Sequence, residues 1–137
     1  VFKGGKMKRV YIVDDDRNIV ESLSIVLKNS GFDVSSQYDE NGVVENISEY
    51  QPDLVVLDVM FPENDGAGFD MARAIKGDKR IGHIPILMLS AINEKGEYAG
   101  TFSNRDRDSS WLPVEDFVEK PIDPVALINK VRTMLGM

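Results

Sequence analysis

The chain has 137 residues, of which 42% are hydrophobic and 28% charged, and a formal net charge of −7. This predicts one globular domain, assigned to residues 7–137, with residues 1–6 as a linker or tag remnant. The acidic balance argues against direct nucleic-acid binding, the lack of cysteine excludes thiolate metal sites, and the single histidine disfavours a Ser-His-Asp triad. Since no membrane span or signal peptide is visible, we expect a cytosolic protein without membrane association.

Strand-like and helix-like patterns alternate along the chain. β-branched and apolar runs predict five strands, at residues 8–13, 32–38, 54–57, 84–89 and 116–119. Apolar residues at helical spacing predict helices between and after them, at residues 17–29, 41–49, 67–76 and from 124 onward. Repeated βα units imply an α/β/α sandwich around a parallel sheet, and five strands suit the flavodoxin-like order 2-1-3-4-5.

Each predicted helix has an apolar face that we expect to pack on the sheet. Gly31 is expected to stop the first helix, and Asp123 with Pro124 to start the last. The residues predicted to face inward are Ile19, Val20, Leu23, Val26, Leu27, Val43, Val44, Ile47, Phe69, Ala72, Ile75, Val125, Leu127, Ile128, Val131 and Leu135.

The segment between the fourth and fifth strands breaks this pattern. Residues 92–115 contain Gly96, Gly100 and Pro113, many turn-forming residues and no sustained helical stripe. We therefore expect the helix after the fourth strand to be irregular, displaced or absent.

Polar residues occur at the ends of four predicted strands. Asp14, Asp15 and Asp16 follow the first strand, and Asp58 ends the third. Ser90 follows the fourth predicted strand, and Lys120 follows the fifth. In a parallel sheet of order 2-1-3-4-5 these ends converge on one crevice, where open α/β sheets bind ligands. Each residue alone fits an ordinary surface or capping role, and only their joint placement is specific.

The chemistry of these groups fits phosphoryl transfer. Clustered carboxylates repel one another, and a hard divalent cation such as Mg²⁺ relieves that repulsion while binding phosphate oxygens. Asp58 would attack phosphorus to form an aspartyl phosphate. Lys120 and the Ser90 hydroxyl would contact two other phosphoryl oxygens, since positioning and charge neutralisation carry most phosphoryl transfer.

The sequence resembles the receiver domain of two-component response regulators, in the CheY-like superfamily. The resemblance covers residues 8–135, and the matching motifs are at residues 13–16, 57–66, 85–91 and 117–122. It implies a phosphoacceptor switch, not a turnover enzyme, phosphorylated by a sensor histidine kinase or phosphotransfer protein. It also implies a downstream protein effector that reads the strand 4 and strand 5 surface, and a homodimer on phosphorylation.

The resemblance also implies a role for each site residue. Asp58 would be the phosphoacceptor, Ser90 the switch hydroxyl, Lys120 the lysine that pairs with the phosphoryl group, and Phe117 the switch aromatic. The implied ligands of Mg²⁺, or of Mn²⁺ in its place, are the acids Asp14, Asp15 and Asp58 and the backbone carbonyl of Met60. Asp16 is secondary.

Three other functional classes are weighed against this one. A degenerate receiver that acts as a constitutive protein-interaction module is the main alternative, and the intact acids, Ser90 and Lys120 argue against it. A haloacid-type phosphohydrolase needs a second acid two residues after its nucleophile, where this chain has Met60. A flavodoxin is disfavoured because the first loop is acidic, whereas a phosphate-binding loop offers hydroxyls and glycine amides.

Overall fold

The computed structural model describes residues 7–58, 67–91, 116–120 and 122–137. The expectations for residues 1–6 and for the segment 92–115 lie outside these ranges. The strands are β1 (Arg9–Val13), β2 (Asp33–Gln37), β3 (Leu54–Asp58), β4 (Ile86–Ala91) and β5 (Asp116–Lys120). The helices in the described ranges are α1 (Arg17–Asn29), α2 (Val43–Tyr50), α3 (Ala67–Gly77) and α4 (Pro124–Met134).

The five strands form one parallel sheet in the order β2-β1-β3-β4-β5, as predicted. β3 is central and all five of its residues are buried, which explains its continuous apolar sequence. β2 lies at an edge, and its residues after Asp33 are only half-buried, which suits its more polar composition. The carboxyl ends of all strands therefore meet at one edge of the sheet.

Alternating side chains of the strands pack into two separate apolar layers. Tyr11, Val13, Val55 and Leu57 contribute to the layer covered by α2 and α3. The intervening residues contribute to the layer covered by α1 and α4, namely Val10, Ile12, Leu54 and Val56. This period of two follows from strand geometry, and it gives a sheet that is covered on both faces.

Most of the predicted helix faces are confirmed, with one clear error. Val125 was predicted to face inward, but its side chain is 67% exposed. The core-facing residues of α4 are Leu127, Ile128 and Val131. At 100° per residue, Val125 lies roughly 110° around the helix from the centre of that face. The side chain of Phe69 lies outside what the structure describes.

Helix and strand ends follow local chemistry. Asp123 caps α4 by accepting a hydrogen bond from the Val125 amide. Gly31, just after α1, has a φ of 96°, which glycine tolerates at a helix end. β4 begins at Ile86, two residues later than predicted, because Ile84 belongs to the preceding turn. Within the described ranges, none of the helices has the length and hydropathy of a membrane span.

The turn between α3 and β4 is closed tightly by Gly82. Its amide donates to the Asp78 carbonyl at 2.7 Å. A Cβ at this position would lie 2.6 Å from the Lys76 carbonyl oxygen and 2.9 Å from that of Asp78. The Lys76 ammonium donates to the Ile84 carbonyl at 2.8 Å, so the same turn is held to the end of α3. A side chain at Gly82 would therefore displace backbone that sets the entry into β4.

We predict that Gly82→Ala lowers the free energy of unfolding by roughly 1–3 kcal/mol, because the methyl group would be too close to two backbone oxygens and the backbone would have to shift. Urea unfolding followed by circular dichroism measures this. Gly77→Ala is the matched control, because a Cβ there meets nothing within 4 Å. Equal stabilities of the two variants would show that the turn is not tightly constrained.

Candidate functional site

Three carboxylates meet at the carboxyl edge of the sheet. Asp14 is fully buried, Asp58 is 3% exposed, and Asp15 is partly exposed. One oxygen from each of them lies within 4.8 Å of the others. The sequence-based prediction that these acids converge is therefore correct in its geometry.

The parallel register of β1 and β3 brings two of these acids together. Val13 at the end of β1 pairs with Leu57, and Asp14 and Asp58 follow them directly. The Asp14 amide continues the ladder by donating to the Gln37 carbonyl of β2 at 3.2 Å. Asp14 is thus held by backbone bonds on the β2 side while Asp58 is fixed within the central strand.

Hydrogen bonds in the loop after β1 give Asp14 and Asp16 different roles. One Asp14 carboxylate oxygen accepts from the Asp16 amide at 3.0 Å, which orients the carboxylate and folds the loop back. The Asp16 side chain caps α1 by accepting from the amides of Asn18 and Ile19. The Asp16 carboxylate therefore stabilises the start of α1, and this is compatible with the secondary role expected for it in the acidic site.

The other predicted residues are located by their backbone only. Ser90 lies one residue beyond Leu89, which pairs with Asp58, and is itself opposite Glu119. Lys120 is the last residue of β5 and pairs with Ala91, whereas Phe117 lies opposite Met88. Ser90 and Lys120 are therefore at the same edge as the acids. Met60 lies outside the described residues.

The donor set fits a hard divalent cation. Mg²⁺ and Mn²⁺ prefer oxygen ligands, and Mg²⁺ is commonly bound through one or two carboxylates with water and phosphate oxygens completing its shell. Asp14, Asp15 and Asp58 each offer one such oxygen in close proximity. Asp15 is the most accessible of the three, so an ion held here would remain open to solvent and to a phosphate group.

Gln37 is a positioning residue that the sequence did not reveal. Its side-chain oxygen accepts from the Tyr11 hydroxyl at 2.6 Å and from the Asn46 amide at 3.0 Å. Its side-chain nitrogen donates to the carbonyls of Asp39 and Asn41 at 2.6 and 3.1 Å. Gln37 thus ties β1, α2 and the loop after β2 to the strand whose carbonyl holds Asp14.

The Tyr11 hydroxyl that binds Gln37 is a stable donor. Burial raises the pKa of this phenol above its ordinary value of 10.0, and the nearby charge of Asp39 acts in the same direction, while Asn46 opposes both. The hydroxyl therefore stays protonated at neutral pH. A glutamine at the end of a polar edge strand carries no motif, so only the folded structure could identify its role.

Comparison with known proteins agrees with this geometry. The family model described as "Response regulator receiver domain" matches residues 10–132. The chain is 33% identical over 129 residues to the "DNA-binding dual master transcriptional regulator RpaA" of Synechocystis sp., covering 94% of this chain and 49% of that protein. It is 34% identical over 129 residues to the "DNA-binding response regulator MtrA" of Mycolicibacterium smegmatis, covering 93% and 50%.

A solved structure shows the shared fold. The chemotaxis response regulator CheY4 of Vibrio cholerae superposes with a TM-score of 0.77 at 22% sequence identity, covering 94% of this chain and 99% of that one. The chain spans about half the length of the curated relatives it matches. The match over residues 10–132 shows that the chain belongs to the response regulator receiver domain family of two-component systems.

Proposed function

We propose that this chain accepts a phosphoryl group on Asp58 from a sensor histidine kinase or a phosphotransfer protein, in a Mg²⁺-dependent reaction. The observation that carries the proposal is the cluster of Asp14, Asp15 and Asp58, in which one carboxylate oxygen of each residue lies within 4.8 Å of the others. This cluster occurs at the sheet edge of a chain that belongs to the receiver family.

In the proposed reaction, a carboxylate oxygen of Asp58 attacks phosphorus. A new O–P bond forms, the bond from phosphorus to the donor atom breaks, and its electron pair leaves with the donor. A bound Mg²⁺ supplies charge neutralisation at the phosphoryl oxygens. Asp58 is suited to the attack because the central strand holds it rigidly and its burial keeps it away from bulk water.

Two further residues complete the proposed site. We assign to Lys120 the pairing with one phosphoryl oxygen and to the Ser90 hydroxyl a hydrogen bond to another. Their support is the backbone register, which aligns the ends of β4 and β5 with that of β3. Both groups can donate to a charged oxygen, and such charge-assisted bonds are stronger than neutral ones.

The proposed output is a change in the surface formed by β4 and β5. Phosphorylation adds negative charge and acceptor oxygens at Asp58, which draw Ser90 and Lys120 toward it. The space vacated near Ser90 then admits Phe117, and a protein effector or a second copy of the chain selects the altered surface. The protein would act as a cytosolic switch and not as a turnover enzyme.

Binding to nucleic acid is a separate question. RpaA and MtrA are named as DNA-binding proteins, so they lend no support to the expectation that nucleic acid is not bound. This chain corresponds to about half of each of them. For the chain itself, the expectation rests on its net charge of −7, which disfavours contact with a phosphate backbone.

The first test is intact-mass spectrometry after incubation with Mg²⁺ and acetyl phosphate. We expect a single phosphoryl adduct that requires Mg²⁺ and disappears in Asp58→Asn, because the amide is not a nucleophile. Asp16→Asn is the matched control and should keep the adduct, since asparagine caps a helix as well as aspartate does. Failure of the wild-type protein to form an adduct would favour a constitutive interaction module, and an adduct on Asp58→Asn would identify another acceptor.

The second test concerns the metal. We expect Mg²⁺ to raise the free energy of unfolding of the wild type. At a free Mg²⁺ concentration of about 100 times its dissociation constant, linkage between binding and folding gives an increase of roughly 2.7 kcal/mol. Asp15→Asn should lose most of this increment, because it removes one charged oxygen ligand from the cluster. Without Mg²⁺, the same variant should be at least as stable as the wild type, since the remaining carboxylates repel less.

Thermal unfolding with Mg²⁺ and with EDTA measures both effects. Asp16→Asn is again the control, because its side chain binds the amides of α1 and is not in the cluster. An equal Mg²⁺ increment in wild type and Asp15→Asn would contradict the proposed ligand set.

A further inference from the structure

An exposed arginine that follows the acidic loop closely in the chain is held on an aromatic ring. The guanidinium carbon of Arg17 lies 4.2 Å from the centroid of the Tyr38 ring. Arg17 is the first residue of α1 and comes three residues after Asp14. Tyr38 comes directly after Gln37, whose carbonyl accepts the Asp14 amide. Arg17 is thus close to Asp14 along the chain, and Tyr38 is close to it through the backbone bond between β1 and β2.

The stacked geometry leaves the guanidinium able to bind an anion. A ring contact of this kind uses the flat face of the guanidinium, whereas the N–H donors point outward in its plane. Arg17 is exposed and Tyr38 is 38% exposed, so these donors are accessible from solvent. Stacking also restricts a long side chain, which lowers the entropy that is lost when an anion binds.

The position of the pair is set by side-chain bonds on the β2 side. Gln37 donates to the carbonyls of Asp39 and Asn41, and so fixes the loop that begins with Tyr38. The Asn41 amide in turn donates to the Asp39 carboxylate at 2.9 Å. Tyr38 is therefore a platform held in place by its own loop, and Arg17 rests on it.

The electrostatics of the site call for such a cation. Three carboxylates and one divalent cation carry a net negative charge that Lys120 would only neutralise, so a further cation would make the site attractive to an anionic phosphoryl donor. Asp58 is buried, whereas Asp15 and Arg17 are accessible to solvent, so in the proposed arrangement a donor approaches from their side. In an in-line displacement the leaving group then points away from Asp58 and outward, toward the solvent-accessible rim of the site formed by Asp15 and Arg17.

We propose that Arg17, held on Tyr38, is a specificity-determining residue that favours acyl phosphates over phosphoramidates as small-molecule donors. This rests on the proposed phosphorylation of Asp58. As the Asp58 oxygen bonds to phosphorus, the bond from phosphorus to the acyl oxygen breaks and its electron pair departs on a carboxylate. The N–H edge of Arg17 binds this oxygen as its negative charge develops, and charge-assisted bonds of this kind are short and strong.

Phosphoramidate gives the contrast because it transfers the same phosphoryl group, but its leaving atom is a nitrogen and not a carboxylate oxygen. Solvent protonates its nitrogen, and when the bond to phosphorus breaks the electron pair leaves with nitrogen as neutral ammonia, so no negative charge develops there. Arg17 has nothing to stabilise there. A contribution of Arg17 to the leaving group must therefore appear with acetyl phosphate and be absent with phosphoramidate.

The experiment measures the initial rate of adduct formation by intact-mass spectrometry, with Mg²⁺ and with each donor in turn. For Arg17→Ala we expect the rate with acetyl phosphate to fall about fivefold to tenfold and the rate with phosphoramidate to change less than about twofold. Tyr38→Leu should show the same donor-dependent loss to a smaller extent, because the guanidinium remains but is no longer held. The loss should shrink at high ionic strength, since the rim is exposed.

Lys28→Ala is the matched control. It removes the same charge from the other end of α1, about 16 Å away at 1.5 Å per residue, and should leave both rates unchanged. Equal losses with both donors in Arg17→Ala, or no loss with either, would overturn the proposal. If the wild type forms no adduct with either donor, the proposed phosphorylation itself fails, which is a different outcome from a failure of Arg17 to discriminate.

Discussion

The parallel alignment of β1 with β3 is the constraint on which the site depends. It sets Val13 beside Leu57, so the residues that follow, Asp14 and Asp58, must end side by side at the sheet edge. Both side chains are almost fully buried there, and the partly exposed Asp15 adds a third carboxylate beside them. Burying like charges costs free energy. The burial of apolar side chains in the surrounding strands stabilises the fold and offsets that cost. The sheet is therefore a rigid support for an unfavourable arrangement, as is common where function requires a specific geometry.

The sequence predicted the sheet well because its signals are local. Short continuous apolar runs bounded by turn residues favour buried strands, and repeated strand–helix units leave few topologies, so the order of the five strands followed. Asp58 could be placed at the sheet edge for the same reason, since it ends the most apolar run in the chain. The N-cap at Asp123 and the stop at Gly31 were also predictable, because each depends on one residue and its immediate backbone.

The features that sequence could not predict depend on contacts between distant residues. Gln37 binds Tyr11 and Asn46, which are 26 and 9 residues away, and no motif announces such a network. The stack of Arg17 on Tyr38 joins a helix start to the loop after an edge strand, and either residue alone reads as an ordinary surface side chain. Val125 was misassigned because hydrophobicity alone does not say how wide the buried face of a helix is.

The two apolar layers of the sandwich have a consequence for how this sequence can vary. The sheet acts as a partition, with no buried residue belonging to both layers among those described. Substitutions on opposite sides share no direct packing partner, so their effects on stability should add. The helices α2 and α3 can then drift in sequence without requiring compensation in α1 and α4. A lineage could remodel one flank of the molecule for a new partner while the other flank, and the acids at the sheet edge, keep their inherited form.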